Sequence, residues 1–198
     1  TTHLALLRRR IEVADYPDAL QQVQRIDDSI GFLGETLDHL LTAARYESGT
    51  EPLQIEYFDL RTLIDQVHSA YVGEAIRRRL EIRLSFPRTR VEILSDRASI
   101  SRILMNLVAN SLKFNRQPIS SGLGVLIKVR FLNEQCVIDV ADTGVGIDTA
   151  DRDRIWDPYV QLDKNFDGKR HGLGLGLFIV NSALLRLPGH SIRMRSRI

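Results

Sequence analysis

The sequence predicts an α+β protein: a helical hairpin, forming half of a dimeric four-helix bundle, followed by a two-layer α/β sandwich with a mixed, mostly antiparallel sheet. Two periodicities carry the prediction. In the first fifty residues apolar side chains recur at steps of three and four, as on a helix; beyond them, short period-two runs alternate with helical ones. The third observation is the boundary itself. Glu47-Ser48-Gly49-Thr50-Glu51-Pro52 has the Gly and Pro punctuation of a linker and divides the chain into residues 1–50 and 51–198.

In the first part, Leu4, Leu7, Ile11 and Ala14 step along one helix until Asp15-Tyr16-Pro17-Asp18 breaks it, Pro17 suiting the first turn of the next. Val23, Ile26, Ile30, Leu33, Leu37, Leu40 and Ala44 then alternate steps of three and four without a slip. That heptad seam runs along a helix from about Asp18 to Tyr46, roughly 40 Å long at 1.5 Å per residue. A seam so narrow and long needs partners: the preceding helix supplies one, and a second hairpin from another subunit completes a bundle. The alternative is a hairpin packed on its own domain.

In the second part, strands are expected at Ile55–Phe58, Leu80–Phe86, Val91–Leu94, Gly124–Phe131, Gln135–Ala141 and His190–Ser196. Helices are expected from Leu60 to Ile76, from a Ser95 or Asp96 cap through Leu112, briefly around Asp151–Trp156, and from Gly174 to Leu187. Asn133-Glu134 reads as a hairpin turn, and Gln161–His171 as a polar loop.

Composition limits the function. Hydrophobic residues at 43% and charged residues at 26%, with a formal charge of +2, describe an ordinary globular chain and point to no nucleic-acid partner. The runs Arg8-Arg9-Arg10 and Arg77-Arg78-Arg79 are short, flanked by acids, and read as solvated faces. The single cysteine, Cys136, lies in an apolar run; it excludes an intrachain disulfide and fits a reducing cytoplasm. No stretch of about 18 apolar residues occurs, so no membrane contact is expected here. Both ends read as cut from a longer protein, which leaves membrane anchoring of that parent open.

Three stretches carry chemistry. In Asn106-Leu107-Val108-Ala109-Asn110-Ser111-Leu112-Lys113-Phe114, the two asparagines and the lysine fall at i, i+4 and i+7 on one helix face. Amide oxygens suit Mg²⁺ and an ammonium suits phosphate. Only four of the 27 basic residues are lysines, which makes Lys113 informative. In Asp142-Thr143-Gly144-Val145-Gly146-Ile147, a strand-end carboxylate fits an adenine amino group, while the glycines turn the backbone beside a flat base. A plain glycine turn capped by Asp142 is the alternative. Gly172-Leu173-Gly174-Leu175-Gly176-Leu177 runs into a helix, where main-chain N–H groups and the dipole favour phosphate. It follows no strand and lacks Gly-Lys-Ser/Thr, so neither the dinucleotide fingerprint nor the P-loop fits.

In this order the three stretches resemble the N, G1 and G2 boxes of the histidine-kinase and gyrase-type ATPase superfamily. Ile155-Trp156-Asp157-Pro158-Tyr159 resembles its F box, and the hairpin with its linker resembles the dimerisation region of sensor histidine kinases. The resemblance implies that Asn110 coordinates Mg²⁺ with support from Asn106, that Lys113 contacts phosphates, and that Phe114 packs near the nucleotide. It implies that Asp142 reads adenine, with Gly144, Gly146 and Ile147 shaping the pocket. Gly172, Leu173, Gly174, Leu175, Gly176 and Leu177 would form the hinge and N-terminus beneath a mobile lid. By charge and position alone, Lys164, Lys169 and Arg170 in that lid are expected to reach the γ-phosphate. The cofactors implied are ATP and Mg²⁺; the partners are a second copy of the chain and a response-regulator receiver domain. Hydrolysing branches carry a glutamate base where Asn106 stands, so the resemblance favours phosphoryl transfer to histidine over hydrolysis. A hydrolytic clamp and an inactive dimerising scaffold are the other readings.

The accepting histidine is expected upstream of Thr1, about two helical turns away when the hairpin is aligned on its seam. The family's motif sets an acid after the histidine and a proline four residues further on. His3, His39, His68, His171 and His190 all lack it. The resemblance also leads to the expectation of a closing glycine turn and strand, which residues 1–198 do not include.

Overall fold

The computed structural model describes residues 52–115, 124–162 and 173–197, together with single helical positions between Ala19 and Leu41. The first helix of the expected hairpin and most of the linker lie outside the described residues, as do His3, His39 and the Arg8–Arg10 run. The described positions of the seam are helical, as the heptad spacing requires.

From the linker onward the elements are β1 (Ile55–Asp59), α1 (Leu60–Arg77), β2 (Ile82–Ser85), β3 (Glu92–Asp96), α2 (Arg97–Lys113), β4 (Val125–Leu132), β5 (Gln135–Asp142) and α3 (Gly176–Arg186). Between β5 and α3 the expected short helix is two 3-10 turns, Thr149–Asp151 and Arg154–Trp156. The strands divide in two. β1 pairs antiparallel with β3, while β4 pairs antiparallel with β5 and parallel with β2. The sheet is therefore mixed, with one parallel pairing, which a crossover through β3 and α2 makes possible.

Local chemistry sets the element ends. Asp59 caps α1 by accepting from the N–H groups of Arg61 (2.8 Å) and Thr62 (3.4 Å). Asp96 caps α2 by accepting from the Ser99 N–H at 2.7 Å, and its other oxygen accepts from Gln54 N–H at 2.8 Å. Burial alone would raise the Asp96 pKa; these bonds, the Ser99 hydroxyl and nearby Arg102 hold it below the ordinary value instead. α1 ends in a Schellman turn: Leu80 N–H reaches Ala75 C=O, Arg79 N–H reaches Ile76 C=O, and Arg79 sits at φ 57°. Asn133 and Glu134 both take positive φ, the geometry of a two-residue hairpin.

The helices cover one face of the strands. Leu60, Ile64 and Val67 of α1, Val108 of α2, Val125 and Ile127 of β4, and Ile179 and Val180 of α3 are all 0% exposed and share one core. Lys128, one residue off that alternation, is exposed on the other face. Cys136 is half-buried against the core, and burial pushes its thiol pKa up.

The expected last strand, His190–Ser196, is a correction: no ladder forms there among the described residues. Its period-two pattern is nevertheless real. Ile192, Met194 and Ser196 are half-buried while Arg193, Arg195 and Arg197 are exposed. The segment is held instead by Ser196, whose Oγ accepts from Ile147 N–H (2.7 Å) and whose C=O accepts from the Arg152 guanidinium (2.8 Å). Alternating burial needs an apolar surface below, not a hydrogen-bonded neighbour beside. His190 anchors the start: its Nε2 lies 3.1 Å from Ser95 Oγ and its Nδ1 2.9 Å from Pro188 O. No helix among the described residues is long and apolar enough to cross a membrane.

Candidate functional site

α2 is the spine of the site. Its apolar side buries Ile100, Ile103, Leu104, Val108 and Leu112, which leaves Asn106, Asn110 and Lys113 on the adjoining face. Gly176, the first residue of α3, is packed so closely there that a Cβ on it would lie 3.1 Å from Asn106 Oδ1 and 3.4 Å from Asn110 Nδ2. Both amides thus meet the start of α3. That start carries no side-chain cap hydrogen bond among the described residues. Asn106 is buried and its amide donates to Arg102 C=O at 2.9 Å. The Asn110 side chain makes no hydrogen bond among the described residues.

The helix begins at Gly176 rather than Gly174, where the sequence places it. The reason is local. Gly174 takes φ +73°, and a Cβ there would fall 2.5 Å from Val160 C=O. Gly174 C=O accepts from Tyr159 N–H at 3.1 Å, so the aromatic turn docks on the glycine turn. Tyr159 itself is held at φ 65° and is exposed, while Ile155 is buried and Trp156 packs at the core edge. Leu175 is buried; Leu173 and Leu177 are half-buried. Gly172, His171, Arg170, Lys169 and Lys164 lie outside the described residues, and with them the expected lid.

The C-terminal end of α2 meets the end of β5. Asp142, at the strand's last position, is exposed and accepts from Ser111 Oγ at 3.2 Å and from Gly144 N–H at 2.8 Å. Phe114 C=O accepts from Val145 N–H at 3.1 Å, and a Cβ on Gly144 would come within 2.6 Å of that carbonyl oxygen. Gly144 is therefore a close-approach glycine, while Gly146 is a conformational one at φ +78°. Asn115, buried just beyond the helix, donates to Gly124 C=O (2.7 Å) and accepts from Thr143 Oγ1 (3.1 Å). The Phe114 ring is 40% exposed, with the Lys113 ammonium 5.0 Å from its centroid.

One helix thus joins the start of α3 on one side to the Asp142 turn on the other. Sequence reading picked out Asn106, Asn110, Lys113, Asp142 and the glycines but missed Ser111, Asn115 and Thr143. Each is a small polar residue inside or beside a box, and no local spacing rule distinguishes it.

Residues 95–198, just over half of the chain, match the family described as histidine kinase-, DNA gyrase B- and HSP90-like ATPases. The chain belongs to that family. The match begins at the cap of α2 and includes every element that lines the site, and the curated relatives of this ATPase domain are sensor histidine kinases. The alginate biosynthesis sensor protein KinB of Pseudomonas aeruginosa is 29% identical over 98% of this chain and 31% of its own length. The histidine protein kinase DivJ of Caulobacter vibrioides is 29% identical over 90% of this chain and 29% of its own. The chain spans less than a third of either. In fold, it resembles full-length ShkA crystallised with AMPPNP, at TM-score 0.69 and 24% identity over 93% of this chain and 40% of that one. The histidine kinase ThkA, solved in complex with the response regulator TrrA, superposes at TM-score 0.56 and 19% identity over 83% of this chain and 48% of that one.

Proposed function

We propose that this chain is the nucleotide-binding and dimerising part of a sensor histidine kinase. It binds Mg·ATP between α2, the Asp142 turn and the start of α3, and transfers the γ-phosphoryl group to a histidine upstream of Thr1. The phosphoryl group then passes to an aspartate of a response-regulator receiver domain. The observation that carries the reading is the junction at Gly176, where both asparagine amides and an uncapped helix start crowd one point while α2 also holds Asp142 in place. The missing Cβ lets the start of α3 come up against both amides, so that N–H groups for phosphate and amide oxygens for Mg²⁺ would lie side by side.

The residues divide the work by chemistry. Asp142 accepts from the adenine amino group, its remaining lone pairs facing outward from an exposed strand end. The N–H groups at the start of α3 and the Lys113 ammonium bind phosphate oxygens. Asn110, with Asn106 beside it, is suited to hold Mg²⁺, which when bound would neutralise phosphate charge. An amide in the Asn106 position, already donating to Arg102 C=O, has no basicity with which to activate water. Phosphoryl transfer then rests on positioning and charge neutralisation.

The partner reading has support of its own. While Val23 at the start of the seam is buried, Ile26, Ile30, Leu33 and Leu37 are each more than half exposed, an apolar stretch open in one chain. A second copy covering it gives a four-helix bundle. ThkA's complex with its response regulator supports a receiver domain as the downstream partner.

The test is a titration of a nonhydrolysable ATP analogue with and without Mg²⁺. The expected dissociation constant is on the order of micromolar. Asn110→Ala should abolish the benefit of Mg²⁺, and Asp142→Ala should weaken binding of any adenine nucleotide. Wild-type affinity in both variants would overturn the assignment.

A further inference from the structure

Serines in the middle of helices ordinarily turn their hydroxyl back onto the carbonyl four residues earlier. Two helical serines here do so: Ser29 donates to Arg25 C=O at 2.7 Å and Ser69 to Asp65 C=O at 2.8 Å. Ser111 does not. Buried to 6% exposure in the last turn of α2, it donates across 31 residues to Asp142 Oδ2 at 3.2 Å. The other oxygen of the same carboxylate is taken by Gly144 N–H. Each oxygen of Asp142 therefore has one protein donor, and two donors from different directions fix the plane of the group.

We infer that Ser111 is a positioning residue for base recognition, and that its hydroxyl sets the carboxylate plane in which Asp142 presents its free lone pairs to a 6-amino purine. This rests on the reading of Asp142 as the base acceptor given above. The chemistry favours an amino group over a 6-oxo group: a carboxylate whose two donors are already in place offers only acceptors to the ligand. Asn115, four residues on, bonds Thr143 and Gly124 and so ties the same strand end to α2. With the strand end tied there, loss of the Ser111 hydroxyl leaves Oδ2 without its donor, and the carboxylate free to rotate about the remaining Gly144 bond, without freeing the turn.

The experiment compares two ligands that differ in one group: ADP, and purine riboside diphosphate, which lacks the 6-amino group. Calorimetric titrations would use the 198-residue chain and its Ser111→Ala, Ser111→Cys and Asp142→Asn variants, each checked by thermal melting. Ser111→Ala and Ser111→Cys should each bind ADP about tenfold more weakly, while affinity for purine riboside diphosphate stays unchanged. The near-isosteric thiol keeps the volume and loses the strong donor, so a melt matching wild type separates orientation from packing. Equal loss for both ligands, or no loss for either, overturns the positioning role. If instead Asp142→Asn binds ADP as wild type does, the base-acceptor reading itself fails and takes the inference with it.

Discussion

Two regions of this chain are built from apolar residues at helical spacing and have opposite fates. In α1, Leu60, Leu63, Ile64 and Val67 are 0–1% exposed. In the seam, Ile26, Ile30, Leu33 and Leu37 are 51–59% exposed, although their spacing is the more regular. The difference teaches what a periodic pattern means. Spacing selects helix in both places, but among the described residues only α1 has strands and two more helices against which to bury its stripe. The seam's regularity suits a surface matched to another helix, and its stretch from Ile26 to Leu37 stays open within one chain while Val23 at its start is buried.

The sharpest way to break this comparison is to empty the core. Ile64→Ala should cost about 3 kcal/mol of stability in a denaturant melt, through lost burial and a residual cavity, without changing self-association at equal folded concentration. A cost below about 1 kcal/mol would mean that the α1 stripe is not the core it looks like. The reverse experiment is Leu37→Asp. It should weaken dimerisation by about 2 kcal/mol in sedimentation while the sandwich melts as before. Unchanged association would take the seam out of the proposed dimer interface.

Asp96 sharpens the comparison from the sandwich side, because its cap begins α2. Its folded pKa lies below the unfolded one, so its stabilisation is present above the unfolded value of about 3.9 and is lost as pH falls through the folded value. Asp96→Ala should cost about 1 kcal/mol at neutral pH, with the difference from wild type shrinking in acid. A cost independent of pH would assign the effect to packing. The smallest expected effect is a gain. Arg79 occupies the left-handed position of the α1 Schellman turn, so Arg79→Gly should raise stability by about 0.5–1 kcal/mol.

Much of the site was legible because its parts are local. Glycines at 144, 146, 174 and 176 announce turns and close approaches, and Asn106, Asn110 and Lys113 share a face by helical arithmetic alone. The misreadings come where distance along the chain matters. Helix α3 starts two residues late because Gly174 is shaped by Val160 and Tyr159, fourteen and fifteen residues away. His190–Ser196 alternates like a strand yet forms no ladder among the described residues, because burial alone satisfies its pattern.

By itself, the amino-acid order determined most of the helical and extended segments, the cap of α2, and which side chains are candidates for a nucleotide. These follow from backbone sterics and short-range hydrogen bonds, which act within a few residues. Only the tertiary structure decided that β2 runs parallel to β4, that Gly176 seats against two amides, and that Ser111 reaches Asp142 rather than its own helix. Those choices depend on which surfaces a folded core brings within 3–4 Å, and packing energy is a property of pairs far apart in the chain.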